Sequence, residues 1–142
     1  MRVQISRIDL RLPLPRHATS GSVGFDLVTR VTTTVEPGQI ARIPSNVIIA
    51  TPPGFMLLLA VRSSTPRRTG LRLANGVGIV DQDYQGPEDE IQVDVWNPTD
   101  SPVVVERGDR IAQAILVKIE RAEWEELDTV DAPTRGGFGS TG

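Results

Sequence analysis

Glycine and proline interrupt this chain so often that long helices are excluded. The 142 residues include 13 glycines and 11 prolines, which recur between short runs rich in Val, Ile, Leu and Thr. Short β-branched runs bounded by turn residues are typical of sandwiches, jelly rolls and barrels. We therefore predict an all-β fold, and only for the last predicted strand is a short helix an alternative. The predicted strands lie within residues 27–35, 40–50, 55–61, 91–96, 103–105 and 111–119.

The composition indicates one domain with an aliphatic core. Hydrophobic residues make up 39% of the chain but aromatic residues only 4%, so the core must be built from Val, Ile and Leu. The chain has no cysteine, which excludes disulfides and fits a reducing compartment, so we expect a cytoplasmic protein. The net charge of −3 argues against a nucleic-acid partner, and we expect no membrane span or signal peptide. We predict a β domain over residues 1–127 and a flexible tail over residues 128–142.

Residues 135–142, RGGFGSTG, combine flexibility with groups that bind ligands. Arg135 offers a guanidinium, Phe138 a ring face, and Ser140 and Thr141 hydroxyls beside glycine amides. These groups suit a phosphorylated ligand with a flat ring. The segment is therefore predicted to be a lid that orders over a substrate, and a disordered glycine-rich terminus is the alternative.

Two further segments place polar groups beside predicted strands. Residues 20–27 (SGSVGFDL) bring small residues and Asp26 to the start of a strand, and Arg62, Ser63 and Ser64 follow a buried-type strand. A forked cation with hydroxyls can bind phosphate. Taken alone, the two segments could equally be a turn capped by an aspartate and a solvated Ser/Thr turn. The next two arginines are interpreted as solvated charge, and they are Arg67 and Arg68.

The richest segment is residues 73–86, LANGVGIVDQDYQG, which we interpret with residues 91–96 as a β-hairpin. Its glycines remove side chains where a flat ligand could lie against the backbone, and Asn75 adds an amide that donates and accepts. Asp81 could orient and deprotonate a water, and Tyr84 could form a wall under a sugar. The remaining acids are interpreted as ordinary turn residues, and they are Asp83, Glu88, Asp89 and Glu90.

The last candidate segment is residues 107–113, RGDRIAQ, which contains Arg110 and Gln113. Alone it indicates only a charged surface turn. The single histidine, His17, is given no catalytic role, and the sequence has no transition-metal spacing, phosphate loop or dinucleotide fingerprint.

Taken in order, five of these segments resemble the motifs of the trimeric dUTPase (deoxyuridine 5′-triphosphate nucleotidohydrolase) family. They are GSVGFDL, RSS, NGVGIVDQDYQG, GDRIAQ and RGGFGSTG, which are similar to the first to fifth family motifs. Each alone is weakly specific, but five in order over nearly the whole chain are highly specific. The resemblance implies a jelly-roll-like barrel of the β-clip type and a homotrimer with shared active sites. It also implies Mg²⁺-dependent hydrolysis of dUTP to dUMP and pyrophosphate, which keeps uracil out of DNA and supplies dUMP for dTMP synthesis.

The resemblance assigns roles to individual residues. Asp81 is similar to the carboxylate that activates the attacking water, Tyr84 to the ring under deoxyribose, and Asp26 to an organising acid that acts through water. The groups implied to read uracil are Asn75, the backbone of Gly78, Ile79, Val80 and Asp81, and Gln92. The groups implied to hold phosphates are Arg62, Ser63, Ser64 and Gln113, with Arg110 in support.

The tail of another subunit is implied to complete each site. Phe138 is implied to cover uracil, while Arg135, Ser140 and Thr141 reach the phosphates, and Gly139 is implied to be a further substrate-binding residue. The resemblance further implies that Mg²⁺ is held by phosphates and water, with no direct protein ligand.

Three positions depart from the usual motifs. Val61 stands where the second motif usually has proline, residues 87–90 lengthen the third motif, and Arg135 lies only three residues before Phe138 in the fifth. Two rival functions stay open. One is a dCTP deaminase, plain or bifunctional, whose deaminating acid would lie near Asp94. The other is a nucleotide-dependent interaction protein with an unknown regulatory partner.

Overall fold

A computed structural model describes residues 1–137 of the chain, which form eleven short strands and one helix of five residues. The fold is all-β, as predicted. The elements are β1 (Ile5–Arg7), β2 (Phe25–Leu27), β3 (Thr33–Val35), β4 (Ile40–Pro44), β5 (Val47–Ile49), β6 (Phe55–Val61), α1 (Thr65–Thr69), β7 (Arg72–Leu73), β8 (Gly78–Val80), β9 (Gln92–Trp96), β10 (Val103–Val105) and β11 (Ala112–Lys118).

The strands pair in four small antiparallel sheets. The largest has the order β2-β11-β6-β8, and the pairing of β11 with β6 covers all seven residues of each strand. A second sheet has the order β4-β9-β7, and two-stranded sheets join β1 to β5 and β10 to β3. Neighbours in these sheets are mostly distant in sequence, which is typical of a jelly roll and agrees with the fold that the resemblance implies.

The core is aliphatic because alternate residues of the strands point inward. In β9, Val93 and Val95 are buried, whereas Gln92, Asp94 and Trp96 face outward or are half-buried. This alternation follows from the two-residue period of a strand. The fully buried large side chains are mainly Leu, Ile and Val, as the composition predicted.

Two predicted strands are interrupted. Residues 27–35 do not form one strand. Thr29, which lies between β2 and β3, exchanges backbone hydrogen bonds with Gly108 and Asp109 in a distant turn. Residues 40–50 break between β4 and β5 at Asn46, which has a φ of 69°. Asparagine tolerates this left-handed conformation better than most residues do. The buried Asn46 side chain also bonds to the backbone of Asp9, which fixes the break.

Helix α1 was not predicted; it begins at Thr65, directly after a turn at Ser63 and Ser64. Pro66 stands at the start of the helix, and Gly70 ends it with a φ of 77°. Proline at the first helical position and glycine just past the end are the usual helix signals, so the sequence did contain them.

The predicted hairpin of residues 73–86 with 91–96 is confirmed at Leu73, which lies opposite Val95, but it does not include β8. Strand β8 pairs with β6, whereas β9 pairs with β4 and β7, so β8 and β9 belong to different sheets. A Cβ atom on Gly78 would lie 2.9 Å from the Cβ of Leu59. The glycine is therefore required for close pairing of β8 with β6, in addition to any role in ligand binding.

Residues 120–137 follow β11 and contain no helix or strand. Every residue of this segment is exposed, including Trp124, whose exposed fraction is 93%. Within the described part of the chain, no helix is long and apolar enough to cross a membrane.

Candidate active site

A cluster of charged side chains lies where β2, β6 and β11 lie side by side. Asp26 lies opposite Gln113 in the pairing of β2 with β11, and Arg62 directly follows β6. One oxygen of Asp26, Oδ1, lies 2.8 Å from Nε of Arg62, and Oδ2 lies 3.1 Å from Nη1 of Arg110. One aspartate therefore holds two arginines, and the structure brings together residues from three separate sequence motifs.

Backbone bonds fix the chain around this cluster. The N–H of Arg62 donates to the carbonyl of Ile111 at 3.0 Å, and the hydroxyl of Thr65 donates to the same carbonyl at 2.6 Å. Nη1 of Arg62 also donates to the carbonyl of Arg110 at 3.3 Å. The start of α1 is thereby tied to the segment before β11, so Arg62 is positioned before any ligand binds.

The cluster borders a polar cavity of about 200 Å³. Three arginines line it, and they are Arg62, Arg68 and Arg110. Ser64 also lines the cavity, whereas Ser63 is exposed beside it. A cavity with three guanidinium groups suits a polyanion such as a triphosphate.

Arg68 was interpreted from the sequence as solvated charge; it is exposed, but it also lines the cavity. It lies one helical turn after Ser64, and its backbone N–H donates to the carbonyl of Ser64 at 3.0 Å. The missed helix α1 is what brings Arg68 to the cavity. Recognising Pro66 and Gly70 as helix signals would have placed it there.

A second set of predicted residues surrounds β8. This strand is at the edge of its sheet, so one side of its backbone has no strand partner among residues 1–137. Ile79 is 62% exposed, and Asn75 is exposed just before the strand. Unpaired backbone N–H and C=O groups of an edge strand can bond to an extended or flat partner. This edge can therefore read the hydrogen-bonding groups of a base.

Asp81 follows β8 and is exposed. It lines a cavity of about 350 Å³ together with Phe55, Met56 and Arg121. The neighbouring Gln82 donates from Nε2 to the carbonyl of Phe55 at 3.0 Å, which holds the turn against the start of β6. The carboxylate of Asp81 therefore projects from a fixed backbone and is accessible to water.

The predicted sugar and base contacts divide between two places. Tyr84 is 37% exposed, and its hydroxyl donates to the carbonyl of Glu90 at 3.1 Å. Gln92 is half-buried on β9, opposite Pro44 of β4. It is not on a return strand paired with β8, so the predicted strand geometry for Gln92 is wrong.

Within one chain Asp81 lies toward the start of β6, whereas the arginine cluster lies at its end. Leu57, near the start of β6, lies opposite Val80, and Arg62 follows the other end. An extended strand rises about 3.3 Å per residue, so residues 57 to 62 span about 16 Å. A single chain therefore does not place Asp81 beside the arginine cluster.

Asp94, the residue on which a deaminase would rely, is held in an ion pair. Its Oδ1 lies 2.9 Å from Nε of Arg42, and a second bond joins the two side chains at 3.3 Å. The hydrogen bond that Arg42 donates to Asp94 raises the pKa of Arg42 above its ordinary value. Asp94 lies on the outward face of β9, away from the arginine cluster.

Arg135 is exposed in the segment after β11. The predicted roles of Phe138, Gly139, Ser140 and Thr141 lie outside the described residues. Among residues 1–137, no group of three or more His, Cys, Asp or Glu side chains could hold a metal ion.

The sequence matches a known protein family over most of its length. The family model described as dUTPase matches residues 11–142. The deoxyuridine 5′-triphosphate nucleotidohydrolase of Thermobifida fusca is 43% identical over 146 residues, which cover 100% of this chain and 79% of that protein. The enzyme of the same name from Shewanella baltica is 39% identical over 147 residues, which cover 100% of this chain and 95% of that protein.

Solved structures agree with the fold. The dUTPase from Streptococcus mutans has a TM-score of 0.77 and 31% identity, with 84% of this chain and 98% of that chain covered. A Staphylococcus bacteriophage 80alpha dUTPase has a TM-score of 0.87 and 22% identity, with 99% and 98% covered. The second likeness supports the fold alone, because its sequence identity is low.

Proposed function

The chain belongs to the dUTPase family, and from that premise we propose that it hydrolyses dUTP to dUMP and pyrophosphate. The observation that carries this proposal is the pair of sites at the two ends of β6. One end offers three arginines around a polar cavity, and the other offers an exposed carboxylate, Asp81, beside the edge strand β8. Together they supply charge for a triphosphate, a base for water and a backbone edge for uracil.

The active site is shared between subunits in this proposal. Val80, the residue before Asp81, lies about 16 Å along β6 from Arg62, which is too far for Asp81 to direct water at the α-phosphorus while Arg62 of the same chain binds the adjoining phosphates. A head-to-tail contact between copies would bring the Asp81 end of one subunit to the Arg62 end of the next. Such contacts form closed rings when the rotation closes, and the family resemblance points to three copies.

The phosphate end would act by position and charge. Arg62 and Arg110 are pre-oriented by Asp26, so their guanidinium groups need little rearrangement when a triphosphate enters. Ser63, Ser64 and Gln113 add hydrogen-bond donors at the same strand ends. Phosphoryl transfer depends mainly on positioning and electrostatic stabilisation, which this arrangement suits.

The Asp81 end would supply the chemistry and the specificity. Its carboxylate would orient a water and accept its proton as the water attacks the α-phosphorus. Uracil would be read by the free edge of β8 from Gly78 to Val80 and by Asn75. Cytosine would present the opposite hydrogen-bonding polarity there and leave a buried group unpaired, which costs about 1–3 kcal/mol. Tyr84 would pack against the deoxyribose.

Magnesium is the proposed cofactor. Both oxygens of Asp26 already contact arginines, so the residues at the phosphate end fit an ion that is held through substrate phosphates and water. When bound with the triphosphate, Mg²⁺ neutralises charge that would otherwise oppose the attack of water.

Residues 128–142 are proposed to act as a tail that closes over a neighbouring subunit's site, separate from the β domain of residues 1–127. The exposure of all residues from 120 to 137 supports a segment that is free to reach another chain. Arg135 would contact phosphates, and closure would exclude water other than the nucleophile. We propose that the protein acts in the cytoplasm. We expect it to have no nucleic-acid or membrane partner.

Release of pyrophosphate and ammonia from dUTP, dCTP, UTP and dTTP tests the function, each with Mg²⁺ and with EDTA. We expect pyrophosphate from dUTP alone, and we expect it to be lost in EDTA. Ammonia from dCTP would establish the deaminase instead. Release of neither product from any of the four nucleotides would contradict both enzymatic functions and favour an interaction protein.

A further inference from the structure

Glu90 is a buried carboxylate, although the sequence indicated an ordinary turn acid. Only 7% of the residue is exposed. Arg30, sixty residues earlier in the chain, donates to both of its oxygens at 2.8 Å. The N–H of Asn46 donates to Oε1 of Glu90, also at 2.8 Å. A buried carboxylate is stable only when it is paired and hydrogen-bonded, and Glu90 meets both conditions.

The backbone of Glu90 is held as firmly as its side chain. The next residue, Ile91, donates from its N–H to the carbonyl of Val47 at 2.8 Å, and its carbonyl accepts from the N–H of Ser45 at 3.0 Å. The carbonyl oxygen of Glu90 is therefore fixed in space. This is the oxygen that accepts the hydrogen bond from the hydroxyl of Tyr84 at 3.1 Å.

Tyr84 has few other restraints. The residue is 37% exposed and lies in the segment that joins β8 to β9, which belong to different sheets, and its N–H donates to the carbonyl of Asp81 at 3.4 Å. The turn is closed on itself by a bond from the N–H of Gly86 to Oδ2 of Asp89. The bond to Glu90 is thus what ties the far end of the tyrosine ring to the core.

We propose that the Arg30–Glu90 pair is a positioning element that fixes Tyr84 and thereby sets the discrimination between deoxyribose and ribose. The inference rests on the proposed function, in which Tyr84 packs against the sugar of dUTP. A wall can exclude a 2′-hydroxyl only if it does not move aside. The anchored hydroxyl of Tyr84 holds the ring in place before the nucleotide binds.

The test compares kcat/KM for dUTP and for UTP in the wild type and in Glu90→Ala and Arg30→Ala. We expect the dUTP preference to fall about ten-fold, the factor that corresponds to about 1.4 kcal/mol. Glu90→Gln keeps one oxygen that can accept from Nε of Arg30 and the N–H of Asn46 but replaces the other oxygen by a donor, so its preference should lie between those of the wild type and Glu90→Ala. Val105→Ala, a core substitution in β10 away from Tyr84, serves as the control for lowered stability, since it should lower the melting temperature and leave the preference unchanged.

Tyr84→Phe provides a second route if the alanine variants fail to fold. This variant keeps the ring but removes the hydrogen bond from the hydroxyl to the carbonyl of Glu90, so it should lower the dUTP preference. In the double variant Tyr84→Phe with Glu90→Gln, the preference should fall little further. A preference that is unchanged in Glu90→Ala or in Tyr84→Phe would overturn the inference and leave the function standing. A wild type that releases no pyrophosphate from dUTP would contradict the function itself, and the inference with it.

Discussion

The two ends of strand β6 differ in how their polar groups are held. At the Arg62 end, Asp26 contacts both Arg62 and Arg110, and backbone bonds lock the surrounding chain. At the other end, Asp81 is exposed and β8 presents an unpaired backbone edge. In the proposed shared site, charge neutralisation would therefore be organised within one chain, and a partner chain would complete the set of reacting groups.

The largest expected effect on activity comes from removing the Asp81 carboxylate at the exposed end. Asp81→Asn keeps the shape of the side chain but removes the base, so kcat for dUTP should fall by about 10²–10⁴-fold. Binding of dUTP should persist, because the arginine cluster is intact. Steady-state pyrophosphate release and equilibrium binding measure the two effects separately. Turnover close to that of the wild type would remove Asp81 as the base.

Removing the tail tests whether the open end needs a lid. Deletion of residues 136–142 should lower kcat/KM by about 100-fold, because the substrate would be less well positioned and less shielded from water. The oligomer should stay folded, since the deletion leaves all the strands found among residues 1–137 intact. Light scattering and thermal melting check the second point. Full activity of the truncated protein would contradict the lid.

Weakening the contacts between Asp26 and the two arginines should have a smaller effect, and that effect should be on substrate binding. In Asp26→Asn one oxygen becomes a donor, so Arg62 or Arg110 loses its partner, and we expect KM for dUTP to rise about ten-fold with little change in kcat. Asp9→Asn is the matched control, because Asp9 also contacts two arginines but does not line the cavity. An equal rise in KM for both variants would show that the arginine cluster has no special role.

The smallest effect on activity is expected for a substitution that lies in neither set of site residues. Asp94→Asn removes the ion pair with Arg42 on the outward face of β9, which belongs to neither set. Pyrophosphate release from dUTP should be unchanged, and exposed ion pairs contribute little to stability. A large loss of activity would reopen the deaminase alternative and would call for an ammonia assay on the variant.

The sequence was most informative where structure is local. Glycine and proline delimit β6 and β9 correctly, and the alternation in IQVDVW indicates which residues face the core. The motifs identify the two sets of candidate site residues. Even the missed helix α1 had a local signal in Pro66 and Gly70.

The sequence was least informative where contacts are long-range. It predicted a hairpin between β8 and β9, but each strand pairs with a strand that is farther away in the chain. Glu90 was interpreted as a turn acid because its partner, Arg30, lies sixty residues earlier. The distance between Asp81 and Arg62 depends on strand register, which motif order does not encode.

Mixing two inactive variants tests the shared site most directly. Arg62→Ala and Asp81→Asn chains, carrying different tags, would be co-expressed, and the mixed oligomers would be assayed for pyrophosphate release from dUTP. If each site takes Arg62 from one chain and Asp81 from another, random mixing leaves about one quarter of the sites intact. A shared site predicts recovery to about that fraction of wild-type activity. Activity no higher than that of the separate variants would contradict it and place both residues in the same chain's site.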